Sequence, residues 1–164
     1  TNRNLIMKAY GYKAGEAQVN YSWEAPEDCV DQGSGEFNQD IVEGGIITVG
    51  NIPAGKEYVY IKLTSDKDVD IQIIDQATGT KIVAWASSSA EAGLLNGATE
   101  ACATYQGVEY CYSGYNGDQT SNGKGNEWIR VNGTTNRELT MRAYGYRAGN
   151  ALVEYSWGDE TAGQ

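Results

Sequence analysis

The sequence predicts an all-β chain, an antiparallel two-sheet sandwich of jelly-roll or Greek-key type with about eight strands plus an extra N-terminal hairpin. Three observations carry this expectation. Apolar residues recur with period two in short runs, and no run sustains the 3.6-residue period of a long helix. Turn residues punctuate the runs, with 21 Gly among 164 positions. Twelve Tyr and four Trp stand beside one Phe, a composition suited to strand surfaces whose aromatic bodies are buried and whose polar tips are wet. Closure into two sheets is the natural way for so many short strands to bury one face each.

Strands are expected at 46–50, at 58–63 with Val59, Ile61 and Leu63 on one face, at 69–74 with Val69, Ile71 and Ile73 on one face, and at 81–85. Turns at 51–55 and 77–79 separate them. Periodicity lapses over 86–100, where one helical turn is expected around 90–94. Strands resume at 108–112 and 127–131, with a long polar, Gly-rich loop between them. Residues 24–40 hold six acids and no base, and read as an acidic linker.

The strongest internal signal is a repeat. TNRNLIMKAYGYKAGEAQVNYSW at 1–23 matches TNRELTMRAYGYRAGNALVEYSW at 135–157, with 16 of 23 positions identical. Each copy reads as a β-hairpin. In the second, Leu139, Met141 and Ala143 alternate with polar neighbours, and Ala151, Val153, Tyr155 and Trp157 form the inward series after the turn. The period is 134 residues, so the expected layout is a closing hairpin of a preceding repeat at 1–23, the linker at 24–40, a sandwich unit at 41–157, and a tail or next linker at 158–164. A chain that starts inside a repeat is expected to be a segment of a longer tandem array; duplication of a hairpin within one self-contained domain is the alternative. On the tandem reading units meet head to tail through these matched hairpins, with Tyr10, Tyr12, Tyr21 and Trp23 against Tyr144, Tyr146, Tyr155 and Trp157: the second copy fills its own sandwich, and the first lies against a different surface or completes a neighbouring unit by adding strands to an open sheet edge.

Charge and composition narrow the function. Twelve basic residues against 22 acidic ones give a net charge of −10, so nucleic acid is not an expected partner. No stretch approaches the apolar length of a membrane helix, so membrane insertion is not expected. The N-terminus has no signal-peptide layout, so a secreted form would already be processed or excised from something longer. The chain has no histidine, which excludes Ser-His-Asp and Cys-His nucleophile systems and imidazole zinc sites. The chain is therefore expected not to be an enzyme; a hydrolase using carboxylates is the distant alternative.

Candidate sites are few. Asp66, Asp68 and Asp70 alternate, and on an extended segment would offer three carboxylates to a hard cation such as Ca2+; a solvated turn entering a strand is the plainer reading. A second oxygen-rich loop runs from Asn116 and Asp118 through Asn122 and Asn126 to Glu127, without EF-hand spacing. Two sequons, Asn20-Tyr-Ser22 and Asn132-Gly-Thr134, are candidate glycosylation sites, the first on a polar strand face and the second in a turn. Tyr105, Tyr110, Tyr112 and Tyr115 with Trp128 are candidates for a sugar-stacking platform; half-buried strand tyrosines with wet hydroxyls are the plainer reading. Cys102 and Cys111, nine residues apart, bracket a turn and can form a local disulfide, which leaves Cys29 over.

The layout GGIITVGNIPAGKEYVYIKLTSDKDVDIQIID, followed at the far end by a hairpin ending in YSW, resembles the pre-peptidase C-terminal type of β-sandwich. ATGTKIVAW, GVEYCYSGYNGD and LTMRAYGYRAGNALVEYSW are similar to tandem β-sandwich repeats in large secreted or surface proteins of algae and other protists. The resemblance covers most of 41–157. It implies an extracellular, non-catalytic module used in arrays for adhesion or as structural matter, of a kind in which some sandwiches bind calcium. In that oxidising compartment a bond between Cys102 and Cys111 is expected. The expected function is thus a structural or adhesive module of a cell-surface or filamentous assembly, with a calcium-dependent carbohydrate-binding module, and hence glycan partners, as the alternative.

Overall fold

The computed structural model describes residues 33–85, 92–97, 100–114 and 126–158. Ten strands are found there: β1 (Gly33–Ile41), β2 (Ile46–Ile52), β3 (Glu57–Thr64), β4 (Val69–Asp75), β5 (Lys81–Val83), β6 (Ala101–Tyr105), β7 (Val108–Ser113), β8 (Asn126–Thr134), β9 (Leu139–Gly145) and β10 (Gly149–Trp157). They form a six-stranded sheet in the order β1-β10-β3-β8-β7-β6 and a four-stranded sheet in the order β2-β9-β4-β5. Every pairing in both sheets is antiparallel. The fold is therefore the all-β sandwich that the period-two pattern predicts.

The core lies between the sheets. Val59, Ile61 and Leu63 of β3, Ile129 and Val131 of β8, and Ala151 and Val153 of β10 pack there with Val69, Ile71 and Ile73 of β4 and Leu139, Met141 and Ala143 of β9. These are the alternating positions of each run, because successive side chains of a strand point to opposite faces. The β6–β7 turn shows local sequence chemistry at work. Gln106 and Gly107 have φ of 51° and 84°, the two left-handed residues that a two-residue type I′ hairpin turn requires.

Three expectations are corrected. The second half of the acidic linker is strand β1, paired with β10 from Gly33 opposite Trp157 to Ile41 opposite Gly149. Its inner side carries Gly33, Gly35 and Phe37 rather than an apolar series, and its acids lie on the exposed side of an edge strand, so hydropathy alone reads as linker. A Cβ at Gly33 or Gly35 would fall inside the ring of Trp157 or Tyr155; glycine lets the two aromatic rings lie flat across β1. The two rings stack with centroids 6.0 Å apart.

The second correction concerns the repeated segment. β9 pairs with β2 and β4 in one sheet, whereas β10 pairs with β3 and β1 in the other. The segment is thus an arch that crosses from sheet to sheet, not a hairpin. Alternation shows which face is buried, and two strands facing each other across a core have the same alternation as two strands side by side. Neither strand of this second copy lies at an edge; the strand addition expected of the first copy falls on residues 1–23, outside the described residues. The third correction is minor. Of the helical turn expected at 90–94, residues 92–94 are described, and they are irregular, leading into an isolated bridge between Leu95 and Val83. Among the described residues no helix is long and apolar enough to cross a membrane.

Cys102 on edge strand β6 and Cys111 on β7 are direct cross-strand partners with Cα atoms 4.0 Å apart, and their sulfurs stand at disulfide distance. Cys29 lies outside the described residues. Replacing both Cys102 and Cys111 with serine should lower stability by about 2 to 3 kcal/mol, the loop-closure effect of a nine-residue separation. Alkylation of the denatured, unreduced protein should label one cysteine per chain; labelling of all three would show the pair unbonded.

Candidate functional site

The chemistry collects where the two sheets meet at one end. β5 is three residues long and pairs with β4 only at Ile73 and Ile74, so among the described residues no strand pairs with β4 at Ile71 on that side. Glu127, at the start of β8 in the other sheet, supplies the missing acceptor: its Oε2 takes the Ile71 N–H at 2.7 Å. Its Oε1 takes the Tyr112 hydroxyl at 2.9 Å. Glu127 is 4% exposed and Asp70, beside it, is 3% exposed; Asp70 Oδ2 is buried with no hydrogen-bond partner.

Two buried carboxyls side by side cannot both ionise cheaply. Burial first, and then the charge of Asp68, push Asp70 up to about 7, against a hydrogen bond with Glu127. Burial and the Asp70 charge push Glu127 well above the usual carboxylate range, although the Ile71 amide and Tyr112 hydroxyl pull the other way. Burial, then the neighbouring acids, raise Tyr112 as well, so its hydroxyl remains a donor. Burial raises Asp68 more modestly, opposed by the Arg147 charge. The pair is placed to share a proton.

Asp75, at the other end of β4, makes the contrast. Burial would raise it, but Arg137 at 2.8 Å, the Tyr105 hydroxyl at 3.0 Å and the amides of Ala77 and Thr78 outweigh burial and hold the carboxyl at about 2.

The expected cation ligands divide. Asp66 precedes β4 and accepts the Asn150 amide at 3.3 Å. Asp68 and Asp70 share one side of the strand entry, but the three carboxylates do not bring oxygens within 4.8 Å of one another. Asp118 lies outside the described residues. The group of three potential ligands that does converge is Cys102, Glu109 and Cys111, whose two sulfurs are already joined to each other. Sequence reasoning left Glu127 at the end of a loop, yet it shares parity with the inward Ile129 and Val131, and an acid at an inward position is the signal that marks it.

The aromatic platform does not assemble. Tyr110 and Tyr112 point into the core, Tyr105 bonds Asp75, and Tyr115 lies outside the described residues. Trp128 is on the opposite face of the six-stranded sheet, under the Arg130 guanidinium at 4.8 Å; Arg130 also covers Tyr60 at 5.7 Å. Along that outer face runs a groove of about 550 Å³ lined by Ser34, Glu36, Tyr60, Lys62, Glu154 and Ser156. Asn132 is exposed, within β8 rather than in a turn, and its amide donates to Glu109 at 2.6 Å. Tyr146 is exposed beneath the Arg147 guanidinium, whereas Tyr144 is half-buried and Tyr155 and Trp157 pack on the core. Tyr10, Tyr12, Tyr21, Trp23 and Asn20 lie outside the described residues.

The opposite shifts set a pH optimum. Asp70 and Glu127 bind protons more tightly folded than unfolded, so their contribution is full below about pH 4 and is lost as pH rises toward 7. Asp75 is the reverse: its contribution is present above about pH 4 and lost as pH falls toward 2. In chelator, melting temperature should peak at mildly acidic pH, and Asp70→Asn should flatten the fall between pH 5 and 8. Equal or higher melting at pH 8 than at pH 5 in the parent protein would refute the shared-proton account. No family model matches the chain, and no curated protein matches it.

Proposed function

We propose that the chain carries one unit of an extracellular, non-catalytic tandem β-sandwich repeat that builds or decorates a cell-surface or filamentous assembly. One observation carries this reading. The residues of 135–157 that are buried, Thr135, Leu139, Met141, Ala143, Gly145, Ala151 and Val153, are all unchanged in 1–23. All seven differences between the copies fall at positions 138, 140, 142, 147, 150, 152 and 154, which are exposed or half-exposed. Two segments that differ only where solvent reaches are held to the same packing environment, as the closing arches of successive units would be. A cross-strand cysteine pair on an edge hairpin fits an oxidising compartment.

A calcium-dependent carbohydrate-binding module is the second reading, favoured by the outer-face groove with its Tyr60, Lys62 and Glu154 and by the Asp70–Glu127 pair. Titration against a glycan panel separates the two. The structural repeat should show no saturable affinity, and calcium should leave its melting temperature at pH 8 unchanged. Saturable binding that chelator abolishes would favour the second reading. On the first reading, deleting residues 1–23 leaves the sandwich folded while end-to-end association is lost.

A further inference from the structure

The place that β9 and β10 occupy is defined on every side by described residues. β9 lies between β2 and β4, and β10 between β1 and β3, so the arch supplies an interior strand to each sheet. Its approach is fixed by three side chains: Thr135 bonds Lys56 and Pro53, Asn136 donates to the Gln106 carbonyl at 2.8 Å, and Arg137 pairs with Asp75 at 2.8 Å. All three residues recur at the head of the first copy, as Thr1, Asn2 and Arg3. The core-facing residue types recur too, since Leu139, Met141, Ala143, Ala151, Val153, Tyr155 and Trp157 correspond in sequence to Leu5, Met7, Ala9, Ala17, Val19, Tyr21 and Trp23.

Connectivity permits the exchange. Trp157 is the direct partner of Gly33 across the β10–β1 ladder, and opposed residues in such a ladder stand about 5 Å apart. A first copy seated in the arch position would place Trp23 beside Gly33, and the nine residues 24–32 would have only to turn the chain back. Nine residues can reach roughly 30 Å, so the loop closes without strain. With the first copy so seated, residues 1–134 would supply the whole sandwich in permuted order: arch first, then β1 to β8.

We infer that the arch position of this sandwich accepts residues 1–23 of the same chain in place of 135–157. The inference deepens the tandem-unit reading and rests on it for the view that the first copy is spare in the parent fold. Two segments competing for one interior position form a bistable element. Copies strung in tandem could hand an arch from one unit to the next without leaving a core open, which is a way to interlock neighbours.

The test uses the full chain. Met141→Asp places a charge in the core and should expel the second copy. Exchange predicts that this variant keeps a cooperative melting transition as a monomer, with hydrogen-exchange protection lost from 139–157 and gained at 5–23. The double variant Met7→Asp/Met141→Asp should lose the transition, and Met7→Asp alone should melt like the parent. Ala151→Asp and Ala17→Asp repeat the comparison on the other strand. If Met141→Asp and Ala151→Asp abolish the transition as completely as the double variant while Met7→Asp and Ala17→Asp are silent, exchange is overturned and the tandem reading stands. A folded Met141→Asp that elutes only as a dimer overturns insertion within one chain. If Met7→Asp itself unfolds the protein, the first copy belongs to the native core and both readings fall.

Discussion

The fold depends on one crossing. Because the chain leaves β9 in the four-stranded sheet and enters β10 in the six-stranded one, each sheet acquires an interior strand from a single 19-residue stretch, and β1, β2, β3 and β4 take their ladders directly from it. The crest of the arch is tied down on both sides. Gly145 exchanges backbone bonds with the β1–β2 turn, accepting from Gly44 at 2.7 Å and donating to Gly45 at 3.0 Å, and Arg147 donates to the Asp68 carbonyl at 2.8 Å in the β3–β4 turn. The backbone approach is close enough that a Cβ on Gly145 would stand 2.5 Å from the Val42 carbonyl oxygen. These contacts bring together residues about a hundred positions apart, so the arch is also where most of the loop-closure entropy is concentrated.

Strand β4 shows how such a fold accommodates acids in a chain of net charge −10. Asp75 and Asp70 are both buried, five residues apart in one strand, and they resolve the desolvation penalty in opposite ways. Asp75 keeps its charge because a guanidinium, a phenol and two amides converge on it. Asp70 meets another carboxyl instead of a cation, and its carboxyl is pushed up to about 7. The difference traces to which strand ends each meets. The approach to β9 brings Arg137 to one end of β4, and the entry to β8 brings Glu127 to the other.

Much of the sandwich was legible because alternation is a local property. Val59, Ile61 and Leu63, or Leu139, Met141 and Ala143, announce a buried face without reference to any partner. Partnership is not local, and that is where reading failed. A hairpin and an arch have the same hydrophobic pattern, so the segment at 139–157 was assigned its strands correctly and its neighbours wrongly. β1 escaped because its inner face is glycine matched to the aromatic rings of β10, a complementarity visible only when Gly33 is set against Trp157 and Gly35 against Tyr155. Of the candidate site, Asp70 was legible as an acid at a strand entry. Its pairing with Glu127 was not, because the two reside in different sheets and meet only where β4 extends beyond the short β5. Tyr110 and Tyr112 are strand tyrosines, as the plainer reading has them, but they obey the alternation so fully that they are core.

The duplication bears on how a sandwich with an exposed edge avoids indiscriminate pairing. β1 is the margin of the six-stranded sheet, and an open margin recruits strands. Its outer side carries Glu36, Asn38 and Asp40, and Asn150 on β10 bonds both Asn38 and Asp40 across the ladder. On the inner side, glycines at 33 and 35 leave room for aromatic rings at two alternate positions of the partner strand. Both copies of the arch offer that pair, as Tyr155 with Trp157 and as Tyr21 with Trp23. The links that would deliver them, four residues at 135–138 and nine at 24–32, differ in closure entropy by only about 0.7 kcal/mol. Neither core contacts nor connection lengths therefore discriminate strongly between the copies. What remains to decide occupancy is the outward face, where Asn150, bonded to Asn38 and Asp40, corresponds to Glu16, Leu152, beside Thr64 and Asn38 in the ladder, corresponds to Gln18, and Glu154, 3.9 Å from Lys62, corresponds to Asn20. On the exchange reading, the second copy's advantage over the first rests on the Asn150 hydrogen bonds, a half-buried leucine and a surface ion pair, the last of these a contribution of small size.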